Sequence, residues 1–133
     1  MTEDKWAKKG VDAGVHGLIA VNNRAGGHAG GKSAEELYAE LKKYNLPLVC
    51  AGGIGNKEEY QKALDIGYQA CQLGTRFIAT TECNASLAYK NAIVESKESD
   101  IVLSEKITGV PVSVINTDYI LSLIHISEPT RPY

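Results

Sequence analysis

The chain has 133 residues, 44% of them hydrophobic and 23% charged, with a formal net charge of -2. That is enough for one domain with one core, and it excludes a disordered chain. No basic stripe marks a nucleic-acid partner, and no apolar run approaches the roughly 20 residues of a membrane-spanning helix.

Residues 2–13 predict a helix, with Thr2 as its cap, Gly14 as its left-handed stop and Gly10 as a weak point inside it. Residues 17–21 form a short continuous apolar run, the pattern of a parallel strand buried on both faces. His16 precedes it and reads as a surface residue at the strand entrance. The next helix opens at Ser33, with Glu36 completing a capping box. Leu37, Tyr38 and Leu41 repeat at helical spacing, while Glu35, Glu40, Lys42 and Lys43 face water. Asn45 and Pro47 close this segment.

Leu48–Ala51 reads as the second strand and runs into Gly52-Gly53-Ile54-Gly55. Asn56 caps the following helix, with Glu59 three residues on; Tyr60, Ala63 and Leu64 make its expected buried face, and Gly67 ends it. Residues 70–73 are the third strand, followed by Gly74-Thr75-Arg76. A further helix covers residues 86–94, with Leu87, Ala88 and Ile93 as expected apolar contacts. Residues 101–104 and 110–115 are short extended runs with a turn near Gly109 and Pro111. They fall outside the preceding rhythm and read as a peripheral addition.

That rhythm is strand, glycine-rich exit loop, helix, three times over, which implies a parallel sheet. Right-handed connections put the three exit loops on one edge, and so bring His28, Gly52, Gly53, Gly74 and Thr75 together. The first loop, Arg24-Ala25-Gly26-Gly27-His28-Ala29-Gly30-Gly31, carries the only ionisable imidazole among them, a group that can change charge near neutral pH. The plainer alternative is a flexible turn with an exposed His.

Gly52-Gly53 before a capped helix offers backbone N–H groups and a helix dipole, a combination that suits phosphate. Gly74-Thr75 adds N–H groups and a hydroxyl. Each pair alone could be a tight turn; two on consecutive units suit the phosphate site often found after the last strands of a (β/α)8 barrel. Arg76 could add a charged contact or form a structural salt bridge. A flavin mononucleotide fits such a site, with its phosphate in the two loops and its ring below His28. The imidazole could then remove an acidic carbon-bound proton or hold an anionic substrate, and the cofactor would carry the redox step.

The three cysteines, Cys50, Cys71 and Cys83, form no Cys-x-x-Cys and suggest neither a disulfide framework nor a zinc site. Cys50 and Cys71 read as small buried hydrophobes. A reducing cytoplasm suits them, and no signal-peptide core follows Met1. No metal-ligand cluster is apparent.

Ala25-Gly26-Gly27-His28, Ala51-Gly52-Gly53-Ile54 and Gly74-Thr75-Arg76-Phe77 resemble the three signature loops of nitronate monooxygenases, in the right order and spacing over residues 11–120. The resemblance implies an FMN-dependent (β/α)8 barrel that oxidises alkyl nitronates with O2 to a carbonyl compound and nitrite. It implies His28 as catalytic base or substrate anchor, Ala25 and Gly27 beside the flavin and substrate, and Ala51, Gly52, Gly53, Gly74 and Thr75 around the FMN phosphate. Many members have Glu where Arg24 stands, and an Arg where Ser113 stands.

The three units resemble the sixth to eighth of the barrel. The expected domain is therefore a partial FMN-binding barrel over residues 1–120, inactive or weakly flavin-binding by itself. FMN-dependent enoyl-acyl-carrier-protein reductases using NAD(P)H share these loops and are the alternative enzyme; a truncated barrel or phosphate-ligand binder is the alternative outside catalysis. Residues 121–131 resemble a translated sequencing adapter, so residues 121–133 are expected to be a non-native tail. Neither the substrate beyond a small molecule nor the oligomeric state is legible.

Overall fold

The computed structural model describes residues 1–107, 109–110 and 112–117. In chain order its elements are α1 (Asp4–Asp12), β1 (Leu18–Val21), β2 (Gly27–His28), α2 (Ala34–Leu41), β3 (Leu48–Ala51), α3 (Lys57–Ile66), β4 (Ala70–Gln72), α4 (Thr75–Ile78), α5 (Leu87–Glu95), β5 (Ile101–Ser104) and β6 (Val112–Ile115). The expected tail at residues 121–133 and the turn residue Pro111 lie outside the described residues.

β1, β3 and β4 form the predicted parallel sheet, with β3 in the centre. Leu18 pairs with Leu48, Ala20 with Cys50, and Cys50 with Cys71. Alternation puts these side chains on one face. There Leu18, Ala20, Leu48 and Cys50 meet Ala7 of α1, Leu37 and Leu41 of α2, Ala63 of α3 and Tyr68 in the core. The opposite face carries Ile19, which is 43% exposed. Residues 17–21 are therefore not buried on both faces: the helices packed on the sheet all lie on its Leu18 side.

α2 is built as expected. Ser33 Oγ accepts from Glu36 N–H, and Glu36 returns the bond to Ser33 N–H at 2.8 Å. The helix buries Leu37 and Leu41 completely, each contributing about 1.5–3 kcal/mol by transfer. Tyr38 packs edge-on to Tyr68, with centroids 5.3 Å apart. Burial pushes the Tyr68 hydroxyl up from its ordinary pKa, and that hydroxyl donates to Ala34 O at 2.7 Å. Gly67 ends α3 at φ 129°, where a Cβ would stand 2.4 Å from the Tyr38 ring. Glycine is thus required there by both conformation and space.

Several local expectations are corrected. Thr2 does not cap α1; Glu3 holds that place without a side-chain bond. Asp4, the first residue of the helix, instead accepts from the Tyr44 hydroxyl and pairs with Lys43, and those two hydrogen bonds hold its carboxyl below the usual range. Tyr60 is 42% exposed rather than buried, because Ala63 is the α3 residue that meets the core. Leu87 and Ala88 are exposed on α5.

The addition expected after the three units reaches back to the first loop. β5 and β6 pair antiparallel, and β6 also pairs with β2, setting His28 opposite Val112 and Gly27 opposite Ser113.

Candidate active site

The parallel register places the exits of β1, β3 and β4 on one edge. Asn22, one residue past β1, is buried. Its Nδ2 donates to Gly52 O at 3.1 Å, and its Oδ1 accepts from Arg24 N–H at 2.9 Å. A Cβ on Gly52, at φ 121°, would stand 2.1 Å from Asn22 Oδ1 and 2.8 Å from Ala25 N; one on Gly53, at φ 70°, would stand 2.8 Å from Arg24 Cβ. The two loops interlock because these positions lack side chains.

The third loop meets the first at Gly26, where a Cβ would lie 3.1 Å from Thr75 Oγ1. It meets the second through Arg76, whose guanidinium donates to Gly55 O. Arg76 thus ties loops together and makes no salt bridge among the described residues. Gly55 N–H donates to Glu59 Oε2 at 2.8 Å, and Glu59 pairs with Arg24 at 3.1 Å. The bond from Gly55, with Arg24 adding to it, holds the Glu59 carboxyl below its ordinary range. Arg24 also reaches Glu98 at 3.0 Å. Burial would lower its pKa, but the two carboxylates outweigh that and raise it.

His28 is exposed on β2, two residues beyond the Gly26–Thr75 contact. Of the other site residues expected from sequence, Ala25 and Ala51 are buried beneath the loops. Gly27 takes φ 69°, and open space surrounds both Gly27 and Gly74. Thr75 opens α4, a short helix with no signal in the sequence. Asn22 and Glu59 are the residues that sequence reasoning missed as parts of this edge. A carboxamide directly after an apolar strand was the available sign of the first.

The edge suits a phosphate-bearing cofactor. Gly53 and Ile54 N–H make no hydrogen bond among the described residues, Thr75 offers an exposed hydroxyl, and Gly74 leaves its approach clear. One amide is already committed, since Glu59 takes Gly55 N–H. Other depressions lie elsewhere: one, bounded by Tyr38, Pro47 and Gln69, opens at the strand entrances, and another runs along the outer side of α3.

The nitronate monooxygenase family model matches residues 2–132. The chain belongs to the nitronate monooxygenase family. A probable nitronate monooxygenase of Staphylococcus saprophyticus is 34% identical over 120 residues, which cover 81% of this chain and 34% of that protein. A (3aS,4S,5R,7aS)-5-hydroxy-7a-methyl-1-oxo-octahydro-1H-indene-4-carboxyl-CoA dehydrogenase of Rhodococcus jostii is 32% identical, over 91% of this chain and 35% of its own. The chain thus spans about a third of the length of these relatives.

Among solved structures, FabK of Thermotoga maritima superposes with a TM-score of 0.84 at 30% identity, covering 92% of this chain and 40% of that one. A nitroalkane oxidase of Streptomyces ansochromogenes superposes at 0.81 and 28% identity, covering 92% and 39%. The architecture is accordingly three βα units of a (β/α)8 barrel with an antiparallel addition, and the family is one of oxidoreductases. Among the described residues, no helix is long and apolar enough to cross a membrane.

Proposed function

We propose that this chain supplies the phosphate-binding and catalytic edge of an FMN-dependent enzyme that oxidises alkyl nitronates with O2, releasing a carbonyl compound and nitrite, in the cytoplasm. The observation carrying this reading is the interlocking of three glycine-lined exits on one edge, with Gly26 against Thr75 and Gly52 against Asn22, beside an exposed His28.

In this reading the N–H groups of Gly53 and Ile54, with Gly74 and the Thr75 hydroxyl, hold the phosphate. Ala51 and Gly52 shape the floor of that loop, and Ala25 and Gly27 border the ring and substrate. FMN supplies the electron acceptor for the oxidation. His28 acts on the substrate: a ring nitrogen takes the acidic carbon-bound proton of a nitroalkane, leaving the nitronate, and the imidazolium so formed holds the anionic nitronate oxygens; a substrate supplied as the nitronate needs only the second role. The pairing of β2 with β6 fixes the backbone from which the imidazole projects.

The test is nitronate-dependent O2 uptake and nitrite release by the full-length gene product, together with its flavin content. Flavin with nitrite release supports the reading; a colourless, inactive protein overturns it.

The FabK-like fold keeps a second reading in view, an FMN-dependent enoyl-acyl-carrier-protein reductase. NADH oxidation on an enoyl thioester, independent of O2, would favour it.

A further inference from the structure

Asn22 is 3% exposed, and its polar atoms are all engaged. Oδ1 accepts from Arg24 N–H at 2.9 Å; Nδ2 donates to Gly52 O at 3.1 Å and lies 3.8 Å from Cys50 Sγ. Its own N–H donates to Ala51 O at 3.0 Å, and its carbonyl accepts from Ala25 N–H at 3.2 Å. One residue thus bonds both to the loop that carries His28 and to the loop that carries Gly52 and Gly53.

We propose that Asn22 is a positioning residue whose carboxamide fastens the His28 loop to the Gly52–Gly53 loop, so that the two keep one relative geometry. This rests on the reading above, in which both loops serve one ligand, but the fastening itself needs no flavin.

The chemistry selects a carboxamide. The site needs an acceptor toward Arg24 N–H and a donor toward Gly52 O, and Asn offers one of each. A carboxylate offers two acceptors and sets one against the Gly52 carbonyl. An apolar side chain leaves a buried N–H and a buried C=O unpaired. Gly52 adds to the constraint, since any Cβ there would displace Oδ1.

Asn22→Asp therefore separates the two bonds. Ionised, it keeps the link to Arg24 N–H and loses the one to Gly52. Protonated, it can donate to Gly52 O again. The titratable groups near it are the Cys50 thiol, which burial pushes up to about 11, and the Arg24 guanidinium, whose raised pKa keeps it charged. Neither changes state across the acid range in which the new carboxyl titrates; Glu59, which pairs with Arg24 and accepts from Gly55 N–H, is a second carboxyl of that range, so the wild-type chain is the reference at each pH.

The experiment follows the carbonyl carbon resonance of Gly52 and the protection factor of the Ala25 amide (its exchange rate corrected for the intrinsic effect of pH) against pH, in the full chain without flavin. In Asn22→Asp, protection at Ala25 should fall about tenfold relative to the wild type at the same pH once the new carboxyl ionises. The Gly52 resonance should move with it, and both should revert on acidification, while amides within β3 keep their protection. Asn22→Ala should show the loosened state at every pH.

A Gly52 resonance and exchange rates in Asn22→Asp that match the wild type at all pH values would overturn the proposal. If neither variant folds, the wild type decides: Asn22 Nδ2 protons that exchange as slowly as buried amides support the role, and protons as fast as those of an exposed carboxamide overturn it. FMN titration of the same wild-type chain, read by flavin fluorescence, reports separately on the flavin reading.

Discussion

Gly26 faces Thr75 so closely that a Cβ on the glycine would stand 3.1 Å from the threonine Oγ1. The first and third loops therefore share a boundary. Gly26→Ala should be tolerated with a small rotation of Thr75. Gly26→Val should cost about 1–3 kcal/mol by overpacking and should weaken FMN binding by the full-length protein more than the alanine does. Thermal melts and flavin titration of the two variants check this ordering.

Gly52 has stricter demands. It combines φ 121° with a Cβ position 2.1 Å from Asn22 Oδ1. Gly52→Ala meets both strain and clash, and should lose about 3 kcal/mol or more in denaturant unfolding. Gly31, with open space around it and no positive φ, is the control: Gly31→Ala should change stability by less than about 0.5 kcal/mol.

In the core, Leu37→Ala should cost about 2–5 kcal/mol, because a fully buried side chain leaves a cavity among Leu18, Leu48 and Tyr68. A urea titration measures it.

Glu59 links stability to pH. Its carboxyl is held below the ordinary range first by Gly55 N–H and then by Arg24. The stabilisation is complete above the unfolded carboxylate value of about 4.3, and it disappears as pH falls through the lower folded value. Glu59→Gln should flatten the loss of stability below about pH 5. The partly exposed pair limits the effect to less than about 1 kcal/mol, read as the difference between melting curves at pH 3 and pH 7 (both values chosen to bracket that range).

The 133-residue chain should hold FMN weakly. One sheet face is open at Ile19, so among the described residues no apolar wall encloses a ring bound against it. Gel filtration of the chain mixed with FMN should separate the yellow colour from the protein; a stoichiometric yellow peak would contradict this.

The parts legible from sequence are those with local signatures. The Ser33–Glu36 box, the Asn56 cap and the glycine stops at Gly14 and Gly67 are set by neighbours within a few residues, and all stand as read. The convergence of the exits was legible because chirality dictates it. What escaped depends on distant partners. A two-residue strand such as Gly27–His28 has no period to detect, and its pairing with Val112 and Ser113 leaves no mark on either segment. Asn22 carries no local signal, because its partner is Gly52 O, thirty residues on. Tyr60 and Leu87 look apolar in a helical pattern, yet the core lies against other residues of their helices.

The pairing of His28 with Val112 also sets an order of events during synthesis. The parallel strands and their helices can fold as they emerge, from contacts between near neighbours in the chain. β5 and β6 leave the ribosome after the parallel strands, and only then does the imidazole gain its fixed backbone. A nascent chain would therefore gain the glycine-lined edge before the ordered histidine.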